Sequence, residues 1–129
     1  MKFRYTILYV DNVADTLDFY CRAFGAEQKM LHESGEYGEL ATGETVLSFS
    51  SKKLMTDLGK NPGVVEASAP IFEIAFETDD VPVALQKAIG AGAILVQDVE
   101  VMPWGQTICY VQDINGFLVE ICTPISPQT

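Results

Sequence analysis

The sequence predicts an α+β fold built from one βαβββ module used twice. Three observations predict it. An apolar stripe at helical spacing, Val13, Leu17, Tyr20 and Cys21, returns 68 positions later as Val81, Leu85, Ala88 and Ile89. Each stripe follows a short alternating segment and ends at glycine. Each is then succeeded by three further alternating segments with turn residues between them.

Taken in order, "YTILYV" at residues 5–10 is β-branched, aromatic and alternating, and reads as a strand. Asp11 or Asn12 can cap the helix that follows, and Gly25 ends it. Strands are expected near 28–33, 37–42 and 45–50, with Gly43 marking a tight hairpin. In the second half a strand over 73–78 runs into Asp79-Asp80. Pro82 then falls near the first helical position, where its missing N–H does no harm, and Gly90 or Gly92 closes the helix. Strands follow at 94–99, 106–112 and 117–123, with Asp113-Ile114-Asn115-Gly116 as a hairpin turn. Module 1 thus covers about 3–50 and module 2 about 71–124 of a single domain spanning 1–129. Residues 51–70, "SKKLMTDLGKNPGVVEASAP", read as a linker or mobile flap.

Composition narrows the function classes. At 129 residues, 48% of them apolar, the chain can bury one ordinary core. Its formal charge of −10 argues against nucleic acid or an anionic membrane as partner, since both need a basic face. The start, "MKFRYTILYVD", lacks the pattern of a signal peptide, and no apolar run reaches membrane-span length. Cys21, Cys109 and Cys122 stand apart among apolar neighbours and read as buried free thiols of a cytoplasmic protein.

One helix covers one face of each small sheet, so the other face must meet a second layer or line a cavity. Alternation separates the two faces. In the first strand Thr6, Leu8 and Val10 oppose Tyr5, Ile7 and Tyr9; in the fifth, Ile74 and Phe76 oppose Glu73, Ala75 and Glu77. Tyr5, Tyr9, Glu73 and Glu77 are therefore expected on the open face, with Glu77 at its rim. Phe3 and Phe117 are expected in the core, and His32, the single histidine, on a strand surface.

The stretches "YTILYVDNVADTLDFYCRAFGAE" and "PWGQTICYVQDINGFLVEI", within a duplicated βαβββ plan over roughly residues 3–123, resemble the vicinal oxygen chelate superfamily. That superfamily includes glyoxalase I, bleomycin-resistance proteins and extradiol dioxygenases. The resemblance implies paired modules forming a cupped, mostly antiparallel eight-stranded sheet with helices on the outer face, completed in a homodimer. It places the superfamily's four ligand positions at Tyr5, Ser48, Glu73 and Glu120. The histidines of the metalloenzymes are absent from these positions. Tyrosine and serine are poor ligands for a catalytic ion at neutral pH, and two carboxylates alone hold zinc or nickel weakly. No cofactor is therefore expected; a divalent metal, if one binds, would take Glu73 and Glu120.

The expected function is binding of a small aromatic or cationic molecule in an acidic cup. Its lining would be Tyr5, Tyr9, Ser48, Glu73, Trp104, Tyr110 and Glu120. The alternative is a glyoxalase I-like lyase in which Glu120 or Glu73 is the catalytic base beside a divalent metal. Glu120 and Glu73 have a blander reading too, as former ligand positions now hydrogen-bonded to Tyr5 and water. No phosphate loop, nucleophilic serine turn or Cys–His pair supports other chemistry.

Overall fold

The structure, a computed structural model, describes residues 1–125. Two compact units divide the chain, the first covering Met1–Val64 and the second beginning at Val65. Each follows the βαβββ plan, so the duplicated α+β class read from the stripe is the observed one.

In the first unit β1 (Tyr5–Val10) leads to α1 (Val13–Phe24), then to β2 (Glu27–Leu31), β3 (Tyr37–Ala41) and β4 (Val46–Ser51). Asn12 is the cap: its side chain accepts from the Asp15 N–H at 2.9 Å, satisfying a donor that the first turn leaves open. Gly25 closes the helix at φ 70°, a left-handed conformation that side chains resist. The sheet order is β1-β4-β3-β2, with β1 and β4 parallel and the other pairs antiparallel. Val13, Leu17, Phe19 and Tyr20 are buried with Leu8, Val10, Leu40, Leu47 and Phe49 from alternating strand positions. The Tyr20 and Phe49 rings meet at 5.1 Å.

The second unit repeats the plan with β5 (Glu73–Glu77), α3 (Val81–Ala91), β6 (Ile94–Val101), β7 (Thr107–Gln112) and β8 (Leu118–Cys122), in the order β5-β8-β7-β6. Asp80 caps α3 by accepting from the Val83 N–H at 3.2 Å, and Gly92 ends it at φ 116°. Val81, Leu85 and Ala88 are buried, as are Cys109, Val111, Val119 and Ile121. Asp113 sets the hairpin between β7 and β8: its Oδ1 accepts from the Asn115 and Phe117 N–H groups at 2.8 and 2.9 Å.

Two expectations need correction, and one segment holds an element not expected from sequence. Residues 51–70, read as a linker or mobile flap, open with a short helix, α2 (Lys52–Asp57). Ser51 caps it, accepting from the Leu54 N–H at 2.9 Å, and its hydroxyl donates to Glu36. Further along, Val65 and Ala67 pack against the turn at Gly116, and Gln112 donates to the Ala67 carbonyl at 3.5 Å. Phe3 is 77% exposed, since it precedes the first ladder pair at Tyr5 and no element among the described residues covers it, whereas Phe117 is buried as expected. Ile89, the last member of the second stripe, is exposed at the end of α3.

Candidate functional site

Period-2 alternation puts Glu73 on the opposite side of β5 from Ile74 and Phe76, and Glu120 on the opposite side of β8 from Val119 and Ile121. The Asp113 turn fixes the β7–β8 register so that Tyr110 stands directly across from Glu120. The Tyr110 phenol donates to Glu120 Oε2 at 3.0 Å. Burial pushes the Tyr110 phenol pKa upward. Hydrogen bonds to Glu120 and Glu73, and then their charges, push it further the same way. Tyr110 therefore stays protonated through the physiological range and can only donate toward the two carboxylates. Three of the residues picked out from sequence, Glu73, Tyr110 and Glu120, thus form one cluster within the second unit.

Electrostatics around this cluster are one-sided. From residue 65 onward the sequence has nine Asp and Glu against a single basic residue, Lys87. Among the described residues every ion pair lies in the first unit, so neither Glu73 nor Glu120 has a cationic partner. A phenol has one proton to give, and two carboxylates draw on it.

The first unit carries a different cluster. Ser48 is fully buried and faces Glu39 across the β3–β4 ladder. The Tyr37 phenol donates to Glu39 Oε2 at 2.7 Å, and its oxygen lies 3.1 Å from Ser48 Oγ. With the phenol proton committed to the carboxylate, the serine hydroxyl is the donor across the second contact. The Tyr37 pKa is raised, mainly by burial; the Ser48 hydrogen bond opposes this, while Glu39 and the nearby Tyr5 add to it. Tyr37 and Glu39 were not among the residues singled out from sequence. The signal was available: they alternate on one side of β3, around the hairpin from Ser48, but the four positions implied by the superfamily fall only in the first and last strands of each half.

Tyr9 is half-buried on β1. Trp104 lies at the β6–β7 turn, 61% exposed, with its indole N–H donating to Gln106 Oε1 at 2.9 Å. Gln106 in turn donates to the Thr123 carbonyl at 2.8 Å, so the ring is held in place although it faces water. Glu77 is exposed, as expected of a rim position. His32 is exposed at the turn after β2, its Nδ1 accepting from the Ser34 N–H at 3.1 Å.

All three cysteines are free thiols; Cys109 and Cys122 are buried and Cys21 is partly exposed. Burial, the leading cause, pushes both Cys109 and Cys122 up to about 11, with neighbouring carboxylates adding to it. The thiolate is the reactive form, so at pH 8 these two sit three pH units below their midpoints. Iodoacetamide at pH 8 is expected to alkylate Cys21 roughly tenfold faster than either. Peptide mass spectrometry over a time course would show it, and equal rates would contradict it.

The donor set does not suit a tightly held transition metal. At the positions implied by the superfamily stand a phenol and a buried serine hydroxyl already bonded to Tyr37 in the first unit, and two carboxylates in the second. Tyr110, the other oxygen beside those carboxylates, is held in its neutral form. Among the described residues no group of three or more His, Cys, Asp or Glu is arranged to hold a metal ion. No described helix is long and apolar enough to cross a membrane.

Comparison with known proteins agrees with the topology. The profile of the glyoxalase-like domain family matches residues 3–126. A glyoxalase-related enzyme from Fulvimarina pelagi superposes with a TM-score of 0.78 at 20% identity, covering 95% of this chain and 88% of that one. A glyoxalase/bleomycin resistance protein/dioxygenase family enzyme from Burkholderia phytofirmans PsJN gives 0.76 at 18%, over 92% and 95% of the two chains. TioX from Micromonospora sp. ML1 gives 0.72 at 20%, over 95% and 98%. A search of curated proteins returned no match. With the profile spanning nearly the whole chain and both βαβββ units in place, this protein belongs to the glyoxalase-like domain family.

Proposed function

We propose that this protein binds a small aromatic cation without a metal, and that Glu120 and Glu73 anchor it with Tyr110 between them. One observation carries the reading: two carboxylates converge on a single phenol, in a unit with one basic residue, and neither has a cationic partner. Glu120 is partly buried, where a carboxylate is costly unless a positive group or donors compensate it, and the exposed Glu73 adds a second negative charge at the same phenol. An organic cation supplies that charge, and aromatic rings such as Tyr110 and the fixed Trp104 suit a flat ligand. Tyr5, Tyr9 and Ser48, also expected in the lining from sequence, belong to the first unit. We take the working form to be a cytoplasmic homodimer. Exposed Ile94, Leu95 and Val96 on edge strand β6 support a partner surface, and free buried thiols support a reducing compartment.

Proflavine, a flat aromatic cation, is the probe, with 1-naphthoate as the anionic control. Saturable proflavine binding at pH 7.5 is expected to weaken about tenfold or more in Glu120→Gln, the scale of losing one charge-assisted contact. Equal binding of naphthoate, or unchanged affinity in the variant, would remove the reading. The lyase alternative rests on the adjacency of Glu120 as base to Tyr110 as proton donor. Micromolar manganese, nickel or zinc binding, lost in Glu120→Gln by calorimetry, would bring that alternative forward.

A further inference from the structure

Strand β2 carries one residue more than β3 between the pairs Gln28↔Leu40 and Met30↔Glu39, so Lys29 is the extra residue of a β-bulge. Bulges twist a strand locally and re-aim a side chain. Here the Lys29 ammonium lies 3.8 Å from Glu39 Oε1, while Glu39 Oε2 takes the Tyr37 phenol proton. The two members of this pair are unequally held. The Glu39 side chain is 13% exposed and needs compensation where it sits, whereas the Lys29 side chain is 53% exposed. A lysine this exposed is only loosely tied to its partner, because solvent screens the attraction and ordering a long side chain opposes it.

The second unit shows the alternative arrangement at the same ladder positions. Tyr110, opposite Glu120, stands where Glu39 stands opposite Ser48. The extra residue on β6 between Leu95↔Val111 and Gln97↔Tyr110 is Val96, which brings no charge. The carboxylate and the hydroxyl have therefore exchanged strands between the two units, and only the first unit has an ammonium of its own at the bulge.

We propose that Glu39, backed by Tyr37 and Ser48, is a second binding site, specific for a primary ammonium group, and that Lys29 is its built-in competitor, seated there until a ligand amine displaces it. The lysine demonstrates the chemistry that fits: one –NH3+ against Oε1, with Oε2 already taken by the phenol. Tyr37 donates to Glu39 and Ser48 donates to Tyr37, so the hydroxyl chain fixes the carboxylate's orientation and directs its free oxygen to the incoming amine. A planar, bidentate guanidinium would have to displace Tyr37 as well, which favours amines over guanidines.

The test uses the full chain and monodansylcadaverine, a dansyl group on a primary amine tether, followed by fluorescence anisotropy at pH 7.5. Lys29→Met is expected to tighten binding roughly threefold or more, because it removes the competitor and keeps the side-chain length. Lys60→Met, which removes the same charge elsewhere in the first unit, is expected to change nothing. Glu39→Gln is expected to weaken binding about tenfold or more, and the N-acetylated probe, lacking the charge, to bind no better than that variant. Failure of the wild type to bind, equal affinity in Lys29→Met and wild type, or full retention in Glu39→Gln would each overturn the proposal. Loss in Glu120→Gln with retention in Glu39→Gln would also overturn it, while supporting a cation site in the second unit; the two proposals thus fail separately. If Glu39→Gln melts before it can be titrated, Lys29→Met against Lys60→Met decides alone, since both changes are at exposed side chains.

Discussion

Phe49→Ala is expected to lower the unfolding free energy by about 3–5 kcal/mol, the range for deleting a fully buried aromatic ring. Phe49 has no exposed surface, and its ring meets that of Tyr20 at 5.1 Å. The loss combines the hydrophobic transfer of the ring, the cavity it leaves and the aromatic pair itself. A domain of this size is stable by only about 5–15 kcal/mol, so one substitution removes a large share. With a urea slope near 2 kcal/mol per molar, the midpoint should fall by roughly 2 M. Phe3→Ala is the matched control: its ring is mostly in water, and the midpoint should move by no more than about 0.5 kcal/mol would allow. A large effect at Phe3, or a small one at Phe49, would show that the assignment of core and surface is wrong.

That contrast also shows what the residues announced before folding and what they did not. The helices were legible because their ends are chemically marked. Asn12 and Asp80 supply oxygens to open N–H groups, and Gly25 and Gly92 take left-handed conformations. The strand faces were legible because alternation has a period of two, which is why Leu8 and Val10 are buried while Tyr5 and Ile7 are exposed. Phe3 was misjudged because hydrophobicity alone does not say where a strand begins. The helix over residues 52–57 is not evident in the sequence because the glycines and prolines farther along the segment, Gly59, Pro62, Gly63 and Pro70, dominate its pattern, although Ser51 is a serviceable cap.

The candidate site was legible by half. Glu73 could be placed by strand alternation, Glu120 by the superfamily resemblance with the internal repeat in support, and Tyr110 by its aromatic character, but their meeting depends on the register that Asp113 sets in the β7–β8 turn. Lys29 and Glu39 were out of reach for a sharper reason. A single bulge residue decides whether position 29 or position 30 faces Glu39, and a bulge leaves no mark in a pattern of apolar and polar types. The chemistry of the first unit therefore lies in a register shift that only the folded ladder displays.

Gly38→Val, lying between the two functional residues of β3, is expected to destabilise the protein by about 3 kcal/mol. Gly38 permits a close approach between α1 and β3. A Cβ there would stand 2.6 Å from Leu17 Cδ1, 3.2 Å from Val13 Cγ1 and 3.2 Å from the Met30 carbonyl oxygen. Leu17 and Val13 are buried in the core and have little room to yield, and the Met30 carbonyl belongs to the neighbouring strand. Nor can β3 retreat freely, because Tyr37 on its other side is hydrogen-bonded to the buried Ser48 of β4. The strand is pinned from both faces, and overpacking on one should be felt on the other. A double-mutant cycle distinguishes this from a general intolerance of valine. Leu17→Ala alone should cost about 2–5 kcal/mol, but combined with Gly38→Val the total should fall short of the sum by at least about 1 kcal/mol, as one change makes room for the other. Strict additivity would mean that Leu17 is not what limits this position, and that the tight packing of α1 on β3 does not hold Tyr37 and Glu39 in place.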